Sequence, residues 1–302
     1  MTHQTFRIAA VMAFLAGITL LTACTKDPLS RTDASRQADA TIGAGAQTAG
    51  FTIPTVCQIT DMGGSGFYDW REGILGRINY TNITYNSDAL PARAKHYESL
   101  DDSVVSNFYY DASKRLSKVT SLTYPHSHQL GEYTTEYFIF NYLANGTLLV
   151  NYYYVTPLNP AQQEQSSYLL EFDASHRVIK QSHTDGNGLL LGYLRYLYRS
   201  DGNLSDVYLW AFGYAAEKPY YHFNAYDTKR NFCTTNSVWQ LLLDQYSPNN
   251  PTDFISLGDD YEFMSYQYNS QNEPTVVQHY DGNSPGITTT PIGYSCSLLF
   301  HL

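Results

Sequence analysis

Apolar and polar residues alternate with period two through most of the chain, and the alternation is broken at short polar corners. The stretch 108–119, Phe-Tyr-Tyr-Asp-Ala-Ser-Lys-Arg-Leu-Ser-Lys-Val, shows the unit. Phe108 and Tyr110 fall on one face of a strand, Tyr109 and Asp111 on the other, and the pattern resumes after the corner at Leu116. This reads as a β-hairpin. Aligned on the aromatic before the corner, copies start at Tyr110, Tyr142, Phe172, Tyr198 and Tyr268, with a variant at Tyr226 and a weaker copy at Tyr85. From Tyr110 to Tyr226 the anchors step by about 26 to 32 residues, the range of internal repeats. The fourth residue after the anchor is Lys114, Gly146, His176, Gly202 or Asn272. A type I turn closed by a left-handed residue needs a positive φ there; Gly, Asn and His accept it and Lys114 is the poor fit. Asp or Asn early in the corner accepts hydrogen bonds from amides further on.

These patterns predict strands at 57–60, 78–85, 94–97, 117–124, 133–142, 147–155, 168–172, 178–183, 189–198 and 204–212. After a longer gap they predict strands at 261–268, 275–280 and 294–302. The gap holds one helical stretch, Ser237–Tyr246. Ser237 stands at its N-terminus, Val238, Leu241, Leu242 and Tyr246 share a face, and 247–251 stops it. Tyrosine is abundant, 28 in all. Its ring packs across strands while its hydroxyl stays in water.

The corner pattern Tyr-Asp-x-x-Lys/Gly-Arg-Leu resembles the YD (RHS-type) repeat carried by lipoproteins of Bacteroidetes, over roughly residue 53 to the end. The resemblance implies an all-β fold: a long antiparallel meander of YD-like hairpins forming a curved sheet, with one short inserted helix near 237–246. It supplies no catalytic residue. This chain departs from it where Lys114, His176 and Asn272 replace the usual turn glycine.

The start of the chain gives an address. Residues 8–21 form an apolar run of about 14 residues, too short to span a bilayer as a mature helix. It ends in Leu21-Thr22-Ala23-Cys24, which resembles the lipobox of bacterial lipoproteins. The resemblance implies cleavage before Cys24, acylation of that cysteine and anchoring at the outer membrane, stable because more than one acyl chain inserts. The expected organisation is a signal peptide over 1–23, lipidated Cys24 with a flexible tether over 24–52, and the β domain over 53–302.

Charge narrows the partners. The whole chain carries −10; without the leader, 17 Lys+Arg face 28 Asp+Glu, a net −11. That excludes a nucleic-acid partner, which needs a basic footprint, and a polybasic contact with headgroups. The partners expected are the membrane, through the N-terminal lipid, and a glycan or protein ligand. Beyond Cys24 there are three cysteines. An exported chain permits one disulfide, Cys57 with Cys296 or Cys57 with Cys233, and spacing does not choose between these or three free thiols.

Candidate chemistry is sparse. His126 and His128 flank Ser127 beside a turn proline and lack a third ligand, so no metal and no cofactor are expected. Asp201-Gly202-Asn203 and Asp281-Gly282-Asn283 lack the length of a calcium loop and read as turns. Asp101-Asp102 and Asp259-Asp260 are neighbours that point to opposite strand faces, a poor acid–base pair. The glycines at 63–66 precede no phosphate-binding helix. The expectation is therefore a non-enzymatic binding or scaffold domain. Its candidate surface is aromatic: Tyr152, Tyr154, Tyr193 and Tyr196. The alternative is a surface hydrolase of polysaccharide or peptide using dispersed carboxylates.

Overall fold

In the computed structural model the chain divides into two units, Met1–Phe51 and Thr52–Leu302. The structure describes residues 55–62, 80–97, 103–124, 134–156, 159–243, 246–256, 260–281 and 286–298, all in the second unit. The lipobox, the tether, His126, His128, Asp101, Asp102, Asp259 and the glycines at 63–66 lie outside the described residues.

The second unit is almost entirely β. The strands are β1 Thr55–Asp61, β2 Thr81–Tyr85, β3 Pro91–Tyr97, β4 Ser103–Tyr110, β5 Leu116–Tyr124, β6 Thr134–Tyr142, β7 Leu148–Thr156, β8 Asn159–Phe172 and β9 Val178–Asp185. They continue as β10 Leu190–Tyr198, β11 Leu204–Ala211, β12 Lys218–Arg230, β13 Asn249–Ser256, β14 Asp260–Tyr268, β15 Pro274–Asp281, β16 Ile287–Pro291 and β17 Gly293–Leu298. Strands β2 to β16 form one 15-stranded sheet in unbroken sequence order, and β1 pairs with β17 in a ribbon of its own. Every pairing is antiparallel, so the meander read from the alternation is the architecture.

The hairpin corners follow one plan. Lys114, Gly146, His176, Gly202 and Asn272 all have φ between 59° and 88°. Lys114 takes the same turn as its glycine counterparts. Ala89, fourth after Tyr85, joins them at φ 60°, which makes the weak copy a full member. An Asp or Asn side chain at the start of the corner braces it. Asp111 Oδ1 accepts from the amides of Ser113 and Arg115, each at 2.9 Å, and Asp173 Oδ1 accepts likewise from Ser175 and Arg177. The arginine then does two things. Arg115 pairs with Asp111 and lays its guanidinium 4.2 Å from the centroid of Tyr142, the next anchor; Arg177 pairs with Asp173 and lies 4.3 Å from that of Tyr198. These two copies are thus fastened to their successors.

The anchor hydroxyls differ from the expectation of contact with water. Tyr85, Tyr110 and Tyr198 donate to the carbonyls of Ile59, Pro91 and Val178 at 2.6–2.7 Å. An anchor buried among strand ends satisfies its polar tip on the backbone, because bulk water is out of reach.

One sheet face, carrying Phe108, Val119, Phe138, Val150, Leu170, Tyr196 and Val207, is the buried inner face. What covers it comes from the connection between β12 and β13, where a hairpin corner would stand. There a 3-10 turn, Phe232–Thr235, leads into helix α1, Ser237–Leu242. The cap is Asn236, one residue before the expected Ser237; its side chain accepts from the amide of Val238 at 2.9 Å. Trp239 is fully buried and packs edge-on against Phe108 of β4, with ring centroids 5.8 Å apart, and against Tyr80. A helix tethered to β12 touches β4, eight strands away, so the sheet curls around it.

The curl is finished by the ribbon. Met62, just after β1, donates its amide to Tyr80 O beside β2, and Ile292, just before β17, donates to Thr275 O in β15. Cys57 stands opposite Cys296 in the β1–β17 register and the two form a disulfide across 239 residues of sequence. Of the two pairings left open by spacing, this is the one formed; Cys233 is buried in the core and takes no part in a disulfide.

Candidate functional site

The four tyrosines named from sequence do not share a surface. Tyr196 is 1% exposed and lies in the core, its ring edge-on to Tyr246, so it is removed from any binding surface. The reason is parity: it stands three residues from Tyr193 and therefore on the opposite face. Tyr152 and Tyr154 are half-buried on the inner face. Tyr152 stacks on Phe138, with centroids 4.9 Å apart, and donates its hydroxyl to Glu136 Oε1 at 2.9 Å. Nearby on that face Tyr168 stacks flat on His183 at 4.5 Å, and burial holds the His183 pKa below the ordinary histidine value, with Asp185 opposing.

Tyr193 is the member that faces outward, and it belongs to a cluster. Its cross-strand partner is Trp210 of β11, ring centroids 5.5 Å apart at an interplanar angle of 17°. Gly192 permits the approach of the two strands: a Cβ there would sit 2.7 Å from the carbonyl oxygen of Trp210. Lys180 of β9 lies over the Tyr193 ring at 4.6 Å, and Arg195 lies over Tyr208 at the same distance. Beyond β11 the chain turns back through Phe212, 63% exposed, and Tyr214, whose carbonyl accepts from Trp210 Nε1 at 3.0 Å. Lys218 covers the Tyr214 ring at 4.3 Å. The result is a shelf of half-exposed rings at the middle of the sheet's outer face.

Four charges on the shelf are paired, and Lys218 rests on the Tyr214 ring. Arg195 Nε reaches both carboxylate oxygens of Glu217 at 3.0 Å, and Glu171 takes Lys180 at 3.7 Å. The hydrogen bonds from Arg195 hold the Glu217 carboxyl below the usual carboxylate range, and the same bonds raise Arg195. Tyr193 is raised by loss of hydration and by its bond to Glu217. At neutral pH the shelf therefore presents fixed donors and acceptors beside aromatic rings, with little net charge.

Sequence reasoning located Tyr193 and missed Trp210, Arg195, Lys180 and Glu217. The signal present was the alternation Tyr208–Trp210 within a predicted strand; the register that sets it against β10 was not in the pattern.

Gly282 and Asn283 lie outside the described residues, and Asp201-Gly202-Asn203 is a turn. Asp201 accepts from the Asn203 amide at 2.9 Å, and Asp206 pairs with His222 at 2.7 Å. Among the described residues no group of three or more His, Cys, Asp and Glu could hold a metal ion, and no helix is long and apolar enough to cross a membrane.

No protein-family model matches the chain, and no curated protein matches it. Among solved structures, it is similar to a porin-like protein from Bacteroides uniformis at 9% identity and a TM-score of 0.38, covering 68% of this chain and 96% of that one. It is also similar to a porin-like protein from Bacteroides vulgatus at 12% identity and a TM-score of 0.34, covering 71% and 91%. Likeness at this level is compatible with unrelated functions and adds nothing to the site.

Proposed function

We propose that this chain is an outer-membrane lipoprotein of the YD-repeat kind, held through acylated Cys24, whose sheet is a non-enzymatic binding domain for a saccharide. The observation that carries the binding role is the shelf of Tyr193, Trp210, Phe212 and Tyr214 flanked by Arg195, Glu217 and Lys218. Aromatic rings accept the apolar C–H faces of sugar rings, and flanking ion pairs supply fixed hydrogen-bond partners for hydroxyls.

A glycan array probed with the native chain and with Trp210→Ala and Tyr193→Ser tests the reading. The expectation is capture of a defined glycan class and loss of it in both variants at unchanged thermal stability. Capture that survives both substitutions, or no capture, refutes it. Shortened products released from a captured glycan would replace it with the hydrolase reading. Mass spectrometry of the protein isolated from membranes tests the anchor: the expected N-terminus is a lipid-modified Cys24.

A further inference from the structure

A second, independent site lies at the end of the sheet where the repeat corners gather. Three elements border a depression of about 500 Å³ there: the corner after β8, the corner after β10, and the inserted segment between β12 and β13. Its lining is Arg177, Gly202, Arg230, Thr234, Gln240, Tyr246 and Pro248. The size is that of a small-molecule site. None of these residues belongs to the shelf.

Two guanidiniums face this space, and each is held before any ligand arrives. Arg230 Nε donates to Thr234 Oγ1 at 2.9 Å and its Nη2 donates to Thr234 O; Thr234 Oγ1 in turn donates to Asn231 O at 2.7 Å. Among the described residues no carboxylate lies within ion-pair distance of Arg230; its charge acts on the partly buried Glu273 without forming a pair. Arg177 gives its Nε and Nη2 to Asp173 and rests on Tyr198, which leaves further N–H groups of its five-donor fork for another acceptor. Gln240 adds an amide from α1. Tyr246 and Pro248 supply an apolar wall, and the Tyr246 ring is set by its edge-on contact with Tyr196. On a chain of net charge −10, a preformed two-arginine recess is a local exception.

We propose that this depression binds a small ligand bearing an oxyanion, carboxylate or phosphate, between Arg177 and Arg230, with the ligand's apolar face on Tyr246 and Pro248. Planar guanidiniums match the paired oxygens of either group, and charge-assisted hydrogen bonds are the strong ones. Fixing the arginines in advance reduces the ordering cost of binding.

Calorimetric titration of the full chain carrying Trp210→Ala, so that the shelf contributes no heat, with glucuronate, glucose 6-phosphate and glucose tests this. The expectation is binding of glucuronate, of glucose 6-phosphate or of both, weakened by added salt, with no heat from glucose. The first ligand alone assigns the site to carboxylates, the second alone to phosphates. Arg230→Ala is expected to weaken binding at least about tenfold. Because Arg230 also braces Thr234, Gln240→Trp serves as the second variant: it fills the recess, keeps both arginines, and is expected to weaken binding by a similar factor. Neither anion binding, or affinity unchanged in Gln240→Trp, overturns the proposal. Either result leaves the shelf reading standing, since the two sites share no residue.

Discussion

Replacing both Cys57 and Cys296 with alanine should remove a large part of the domain's stability. The bond closes a loop of 239 residues. Chain-entropy arithmetic for a loop of that size gives about 5 kcal/mol of stabilisation, taken from the unfolded ensemble, which is denied its most open conformations. Net stabilities of folded domains are of the order of 5–15 kcal/mol, so the loss is a substantial share. For a domain this large it corresponds to a fall in Tm of roughly 10–20 °C. Structure sharpens the expectation. The ribbon the bond staples is the piece that ties β2 to β15 and β16, so its release also loosens the closure of the sheet. Urea unfolding of the oxidised protein and of the double variant is the assay. The midpoint should fall, and the m-value should rise because the unlinked unfolded chain exposes more surface. Cys233→Ala is the control: it removes a buried thiol outside any disulfide, so its cost is a packing cost and should not respond to reductant. An unfolding free energy in the double variant within about 1 kcal/mol of the parent would refute the closure argument, as would an equal loss in Cys233→Ala.

Two further outcomes follow from the corners. Gly146 sits at φ 83° with open space where a Cβ would go, so Gly146→Ala should cost about 1–2 kcal/mol through backbone conformation alone, whereas Gly286→Ala, equally open and without a positive φ, should cost nothing measurable by urea midpoint. Acid should destabilise the fold: Asp111, Asp173, Asp185 and Asp201 all have folded pKa values below the ordinary carboxylate value, through amide hydrogen bonds at Asp111, Asp185 and Asp201, and at Asp173 through amide bonds and Arg177 together outweighing desolvation. A depressed folded pKa gives stability that is complete above the unfolded value near about 4 and is lost as pH falls through the folded one. Glu273, raised by burial, works in the opposite sense. Urea midpoints should therefore drop between about pH 4 and pH 2, and Asp173→Asn should flatten that drop; midpoints independent of pH there would count against the turn carboxylates as ties.

The chain's own text determined the all-β class, the meander and the corner geometry, because these are local. Alternation of period two sets which side chains share a strand face, and a residue that must adopt positive φ is marked by its place after an aromatic and an Asp or Asn. Lys114 shows how far this goes. Its position predicted the conformation better than its residue type did: Asp111 braces the corner through the amides of Ser113 and Arg115, as Asp185 braces the Gly188 corner through those of Asn187 and Leu189. The strands β12, β13 and β16 are absent from the strands the alternation predicts. Asn249-Asn250-Pro251 is composed like a helix stop, yet its amides and side chains are taken up by Asp227, Asn203 and Lys229 from distant parts of the chain. Only tertiary structure decided three matters: that Cys57 meets Cys296, that Trp239 fills a sheet curled around it, and that Tyr193 faces Trp210 outward while Tyr196 is buried. Each depends on register and closure between segments far apart in sequence. A one-residue slip in pairing would exchange the two faces while leaving the sequence pattern unchanged.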